Sequence, residues 1–368
     1  MASEFKVTPK YMQLKHEILA WFDAGRYRAG DQMPTEHEIA EQYGVSRQTV
    51  RQTFGELERE GRIHRVQGKG TFVSAPPAAP ALEGPAAVKT VGLVTTYISD
   101  YIFPHIVRGA EAVLRERGYR MLLSSTDNDK REEKLSLEQM RSEPLSGLIV
   151  EPTRSAEGNS NLGLYLAMDY NRIPYVMINE RYPELSCPVI KVNDEGGTFQ
   201  ATDHLIRLGH RRLAGFFKVD DLQGVNRLKG FLRAHQEHGV ALAPEAVVHY
   251  TTETKAHEPY RAAMALLERP DRPTAFVCYN DELAVKLLEA IRQAGLRVPE
   301  QVSIVGFDDS AYATATEVKL TTLTHPKFEM GALAAEWIIG MIEGRPLAQL
   351  EHIFEPELIV RDSTSEPL

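Results

Sequence analysis

A chain of 368 residues with 43% apolar content is long enough for two or three compact units, each with its own core. Its 42 lysines and arginines against 51 acidic residues leave a net charge of −9, so no global basic character signals nucleic acid. Two distant cysteines, Cys187 and Cys278, exclude a disulfide framework and a zinc spacing; the absence of any run of about 18 apolar residues or of a basic-then-apolar start predicts a soluble, cytoplasmic protein without membrane contact.

Charge is divided unevenly. Residues 1–74 carry 11 basic against 10 acidic side chains, and the remainder 31 against 41. The N-terminal piece is therefore the part suited to approach phosphates. Within it, Tyr11, Leu14, Ile18, Leu19 and Phe22 fall on one face of a first helix. A second helix opens at Thr35, with Glu38 three residues on as a capping box, and Ile39 and Tyr43 give it an apolar side. Gly44 turns the chain. Ser46 then caps a third helix whose Val50, Phe54 and Leu57 form a core stripe at i, i+4 and i+7. Arg47, Gln48, Arg51 and Gln52 lie on the other side of that helix. This is helix-turn-helix spacing. The stretch IHRVQGKGTFV, 63–73, follows as a β-hairpin with a Gly-Lys-Gly tip.

The segment SAPPAAPALEGPAAVKT, 74–90, holds four prolines among alanines and reads as an extended, semi-stiff linker over 75–89. Beyond it, short apolar strands alternate with amphipathic helices. The strands are expected at 91–97, 120–126, 147–153, 174–180, 212–217, 275–280 and 302–309. Such a rhythm implies parallel sheets covered on both faces, and there are too many units for one sheet, so two similar lobes are expected. Ligands of such folds sit outside the carboxyl ends of the strands.

The string MPTEHEIAEQYGVSRQTVRQTF…EREGRIHRVQGKGTFV resembles the GntR-family winged helix over residues 8–74. The resemblance implies a DNA-binding domain of residues 1–74 that contacts operator DNA through Thr35, Glu36, His37, Ser46, Arg47, Gln48, Thr49 and Arg51. Its wing, Gln67, Gly68, Lys69, Gly70 and Thr71, would lie along the minor groove. Many members carry arginine where this chain has His37, which implies a weaker or pH-sensitive phosphate contact there.

The region 90–368 resembles the LacI/GalR effector domain, similar to periplasmic sugar-binding proteins, through HLIRLGHRRLAGF, GVNRLKGF, FVCYNDELA, VPEQVSIVGFDDS and LTTLTHP. A sugar offers adjacent hydroxyls that both donate and accept, so its pocket needs forked polar groups and an apolar wall. Arg227 and Asp308 match ligand contacts of that family. Asn280 ends a strand and faces the cleft, whereas Asp281 is equally a helix cap. Glu151 ends the apolar strand GLIVE, where burial without a partner is costly; Arg181 is placed to pair with it or with the ligand. Tyr97, Tyr101 and Phe103 supply a wall. His325 falls near a crossover between lobes, expected at 190–194 and 320–326.

Enzyme readings fare poorly. No nucleophile elbow, P-loop or metal cluster is present, His235 and His238 read as solvated surface, and no cofactor is implied. The pairing of the two domains resembles the L-arabinose-responsive repressors of the AraR type. That resemblance implies a homodimer on a pseudo-palindromic operator, released by L-arabinose. A ligand acting as corepressor, or a sugar sensor working through protein contacts, stays open.

Overall fold

The computed structural model describes residues 10–23, 26–27, 30–59, 61–66, 70–74, 89–99 and 101–368. The chain divides into two compact units, Met1–Ala87 and Val88–Leu368. Most of the linker and the wing residues Gln67, Gly68 and Lys69 lie outside the described residues.

The first unit holds helices α1 (Lys10–Asp23), α2 (Glu36–Tyr43) and α3 (Arg47–Arg59), then strands β1 (Ile63–Val66) and β2 (Gly70–Val73). The Thr35 hydroxyl accepts from the Glu38 amide while Glu38 accepts from the Thr35 amide, so the capping box closes in both directions. Gly44 ends α2 at φ 58, a left-handed conformation that a side chain would disfavour. Ser46 accepts from the Thr49 amide at 3.1 Å and opens α3. Leu14, Ile18, Trp21, Ile39, Val50, Phe54, Leu57, Ile63 and Val73 close one small core.

The second unit begins with β3 (Thr90–Thr95), α4 (Phe103–Glu116), β4 (Arg120–Ser125), α5 (Lys130–Ser142), β5 (Leu145–Val150), α6 (Leu162–Tyr170), β6 (Tyr175–Asn179) and β7 (Val189–Val192). It continues through α7 (Asp194–Arg207), β8 (Leu213–Lys218), α8 (Leu222–His238), β9 (Val247–Tyr250), α9 (Glu258–Leu267), β10 (Ala275–Cys278), α10 (Asp281–Gln293), β11 (Ser303–Val305) and α11 (Ala311–Ala315). It closes with β12 (Thr322–Leu323), α12 (Lys327–Ile342), β13 (Glu351–Phe354) and β14 (Leu358–Ile359). Two parallel sheets result, one ordered β13-β7-β6-β5-β3-β4 and the other β11-β10-β8-β9. Every residue of β6 and of β10 is buried, as strands covered on both faces require.

The chain passes between lobes after β7 and again between β12 and α12, where the sequence placed crossovers. It passes a third time between β13 and β14, which the sequence reading did not anticipate. The C-terminal β13 was missed because its burial alternates along an exposed edge and it lacks a continuous apolar run. His235 corrects another expectation. It is buried, its Nδ1 bonds the Phe231 carbonyl, and only His238 reaches the surface, where it pairs with Asp203. No helix among the described residues is long and apolar enough to cross a membrane.

Candidate effector cavity and nucleic-acid interface

In each of the two parallel sheets of the second unit, strand order reverses once: between β3 and β5 in the first lobe, and between β8 and β10 in the second. Chains leaving a sheet on opposite sides of such a point open a crevice at the carboxyl ends of the strands. The two crevices face each other and enclose a cavity of about 390 Å³. Glu151, Asn179 and Thr96 line it from one side; Lys218, Asp221, Asn280 and Asp308 line it from the other, with Tyr97, Tyr101 and Phe103 among its aromatic walls.

Glu151 is only 4% exposed. One oxygen accepts from the Thr95 hydroxyl at 3.0 Å, the Thr96 amide at 2.8 Å and the Thr96 hydroxyl at 2.6 Å; the other accepts from Asn179 Nδ2 at 2.6 Å. Burial pushes its carboxyl pKa up, against the pull of these donors. Asn179 holds φ 66 and faces His325, whose Nε2 stands 3.3 Å from its side-chain oxygen. His325 is buried and its pKa is driven down to about 4 by desolvation, so it is neutral and Nε2 can donate to Asn179.

Across the cavity, Asp221 caps α8 by accepting from the Gly224 amide at 2.7 Å, and it also receives Lys218 Nζ at 2.8 Å and the Tyr279 hydroxyl at 3.1 Å. Gly224 permits this closeness, since a Cβ there would meet the Lys218 carbonyl at 2.0 Å. Burial opposes the Lys218 charge, but Asp221 and Asp220 more than offset it and its pKa stands above the ordinary lysine value. Asp308 holds φ 96 and accepts from Arg227 at 3.3 Å and from the Tyr101 hydroxyl at 2.7 Å. Of eight non-glycine residues with positive φ among those described, Tyr101, Asn128, Asn179 and Asp308 line the cavity. Backbone strain of this kind gathers where side chains are held for a ligand.

The structure sorts the sequence-predicted residues into three groups. Tyr101, Glu151, Asn280 and Asp308 line the cavity. Arg227, Asp281 and His325 stand one layer behind. Arg227 is 1% exposed, pairs with Asp194 at 2.7 Å and lies 3.7 Å from the Phe307 ring centroid. Asp281 accepts from the Ser310 amide and hydroxyl and from Thr322, and burial together with the charge of Asp308 drives its pKa up to about 7. The cap of α10 is Asn280 rather than Asp281, through an acceptor bond from Leu283 at 2.9 Å. Arg181 departs from expectation altogether. Its guanidinium bonds the Cys187 carbonyl, and Glu151 already takes four hydrogen bonds from other residues.

Sequence reasoning missed Thr96, Asn128, Asn179, Lys218, Asp221 and Tyr279. Asn179 and Lys218 end a strand and the others follow the carboxyl end of one, and that common position was the available signal.

In the first unit, Arg47, Gln48 and Arg51 are exposed on α3 and Thr49 is half-buried. His37 is exposed at the start of α2, beside the capping Thr35. The Glu36 carboxylate pairs with Arg51 and with Arg65 of β1, each at 3.4 Å. As an acceptor-only group it can orient both guanidinium groups. Gly70 and Thr71 open β2, where Gly70 adopts φ 114 against Gln32.

A winged helix joined to a two-lobed, ligand-enclosing α/β unit defines a ligand-responsive transcriptional regulator. The bacterial regulatory proteins of the gntR family match residues 10–73, and a periplasmic binding protein-like domain matches residues 202–364. The arabinose metabolism transcriptional repressor of Geobacillus stearothermophilus is 61% identical over 98% of this chain and 99% of its own. The protein of the same name from Halalkalibacterium halodurans is 45% identical over 97% of each. The crystal structure of the transcription regulator CcpA of Lactococcus lactis superposes with a TM-score of 0.67 over 75% of this chain and 99% of its own, at 24% identity, a likeness of fold. The chain belongs to the family of arabinose metabolism transcriptional repressors, and is a regulator rather than an enzyme.

Proposed function

We propose that this chain represses arabinose-utilisation genes as a homodimer, holding a pseudo-palindromic operator through two winged helices and releasing it when L-arabinose fills the cavity. Residues 1–74 serve as the DNA-binding domain, 75–89 as the linker and 90–368 as the effector and dimerisation domain. The observation that carries the reading is the ring of donors and acceptors at both strand-order reversals, backed by aromatic walls. A neutral polyol matches that chemistry, since each hydroxyl can donate to Asp308 or Glu151 and accept from Asn179 or Lys218.

On DNA, Arg47 and Arg51 meet phosphates or guanine edges from the N-terminal half of α3, and Gln48 and Thr49 have the reach for a base. Sugar favours the closed lobes, and differential affinity of about 1–3 kcal/mol weakens operator binding roughly 5–150-fold. Fluorescence anisotropy of labelled operator, with and without L-arabinose, tests this. Release by L-arabinose alone supports the reading; release by another sugar replaces the inducer, and tighter binding makes the sugar a corepressor. Sugar binding without any operator binding leaves a sensor acting through protein contacts.

A further inference from the structure

The strings around Glu151 and after β8, TRSAE (153–157) and KVDD (218–221), meet across the mouth of the cleft without forming its walls alone. From the first lobe, Arg154 stands at φ 43, a costly conformation for a side-chain-bearing residue. Asn128 fixes it: the Arg154 amide donates to the Asn128 side-chain oxygen at 3.0 Å and Arg154 Nε to the Asn128 carbonyl at 2.8 Å. The same guanidinium then reaches the second lobe and bonds Glu253. Ser155 accepts from the Leu222 amide at 2.8 Å, at the start of α8. Asn128 Nδ2 donates to the Thr252 hydroxyl at 2.6 Å, and Thr252 in turn donates its amide and hydroxyl to Asp220 at 2.8 and 2.6 Å.

Position in the fold gives these contacts leverage. Asn128 follows β4, the edge strand farthest from β7 and β13, where chain crossings between lobes begin. Thr252 and Glu253 follow β9, the edge farthest from β11. Contacts at the outer edges resist opening about the crossings with the longest arm. They are also wired to the cavity, because Asp220 pairs with the cavity residue Lys218 at 3.1 Å and Asn128 itself lines the wall.

We propose that Asn128, Arg154 and Ser155 with Asp220, Thr252 and Glu253 form a clasp that holds the two lobes shut, and that it sets effector affinity although Arg154 and Glu253 touch no sugar. This rests on the reading of the cavity as the effector site. The clasp is formed without sugar, and occupancy of the cavity tightens it further through Lys218 and Asn128, which hold Asp220 and Thr252.

The test uses the full-length protein carrying Arg131→Cys and Arg261→Cys, exposed positions on α5 and α9, spin-labelled for distance measurement between lobes; the native cysteines are buried. Arg154→Ala, Glu253→Gln and Thr252→Val are compared with the unsubstituted background and with the reversed pair Arg154→Glu with Glu253→Arg. Each single variant is expected to lengthen the sugar-free distance distribution and raise the L-arabinose Kd by about 3- to 10-fold through faster dissociation. The reversed pair should recover part of the loss. Unchanged distances together with a Kd within about twofold in all variants would overturn the clasp. If the unsubstituted protein binds no L-arabinose while the variants still open it, the effector reading fails and the clasp stands.

Discussion

The Tyr101 hydroxyl, carried by the first lobe, donates to the Asp308 carboxylate of the second at 2.7 Å and accepts from the Asp281 amide at 3.2 Å. It therefore joins both lobes at a residue that also receives Arg227. Tyr101→Phe removes one charge-assisted hydrogen bond, whereas the Asp281 amide keeps the Phe307 carbonyl at 3.0 Å as its acceptor. The expected result is a sugar affinity lowered by about 1.5–3 kcal/mol, roughly 10- to 100-fold, with the operator affinity of the sugar-free protein unchanged. Calorimetric titration with L-arabinose measures it. An affinity equal to that of the unsubstituted protein would show that Tyr101 merely packs, as its stacking on Tyr312 allows.

Two buried carboxylates separate stability from binding. Glu133 is 0% exposed, accepts from Asn161, Tyr165 and Tyr182, and is not part of the cavity lining. Glu133→Ala leaves the Tyr165 hydroxyl without its acceptor and takes a charge-assisted bond from Asn161 and from Tyr182, which keep the Lys130 and Thr153 carbonyls; it should cost about 3–5 kcal/mol of unfolding free energy in denaturant titrations. Glu151→Gln instead turns an acceptor into a donor toward groups that already donate to it, beside the ligand. Sugar binding should fall by more than tenfold, with a smaller fall in stability than Glu133→Ala shows. The reverse ranking of the two variants would refute the assignment of Glu151 to the effector site.

Much of this was legible in the sequence because local chemistry fixes it. The capping box at Thr35 and Glu38, the turn at Gly44 and the apolar stripe Val50, Phe54, Leu57 are short-range, and all appear where expected. Buried parallel strands announce themselves as apolar runs, so β6, β8 and β10 fall within two residues of expectation at each end and β5 within three. Long-range pairing was not legible. Arg181 looked free to meet Glu151 because nothing in one strand reveals that Asn179, two residues earlier, fills that place. The clasp partners are 99 residues apart at Arg154 and Glu253. Only the doubly reversed strand order brings them together.

Operator binding should divide by residue type. Arg47→Ala and Arg51→Ala are expected to weaken all sequences alike and to reduce the slope of log affinity against log salt by about 1 each. Gln48→Ala should relax discrimination at a base position by about 1–3 kcal/mol while leaving that slope alone. Anisotropy titrations over a salt series and a panel of point-substituted operators distinguish the two. If Gln48→Ala alters the slope and not the sequence preference, Gln48 contacts phosphate.

Acid should weaken the effector unit through His325. Histidine titrates near 6.5 when unfolded, and at about 4 in this fold because burial disfavours its cation. A folded pKa below the unfolded one means that the unfolded chain binds the proton first. The stabilising contribution is therefore complete above about 6.5, falls as pH drops, and is exhausted near 4. The interval corresponds to about 3 kcal/mol. His325→Gln keeps a donor for Asn179 and cannot titrate, so its urea midpoint should fall less steeply between pH about 7.5 and about 4.5. The gap between the two proteins, rather than the absolute fall, isolates this residue from the carboxylates that titrate alongside it. Parallel midpoints over the whole range would mean that the imidazole is as readily protonated folded as unfolded, and that its neutral hydrogen bond to Asn179 does not set the first lobe's half of the cavity.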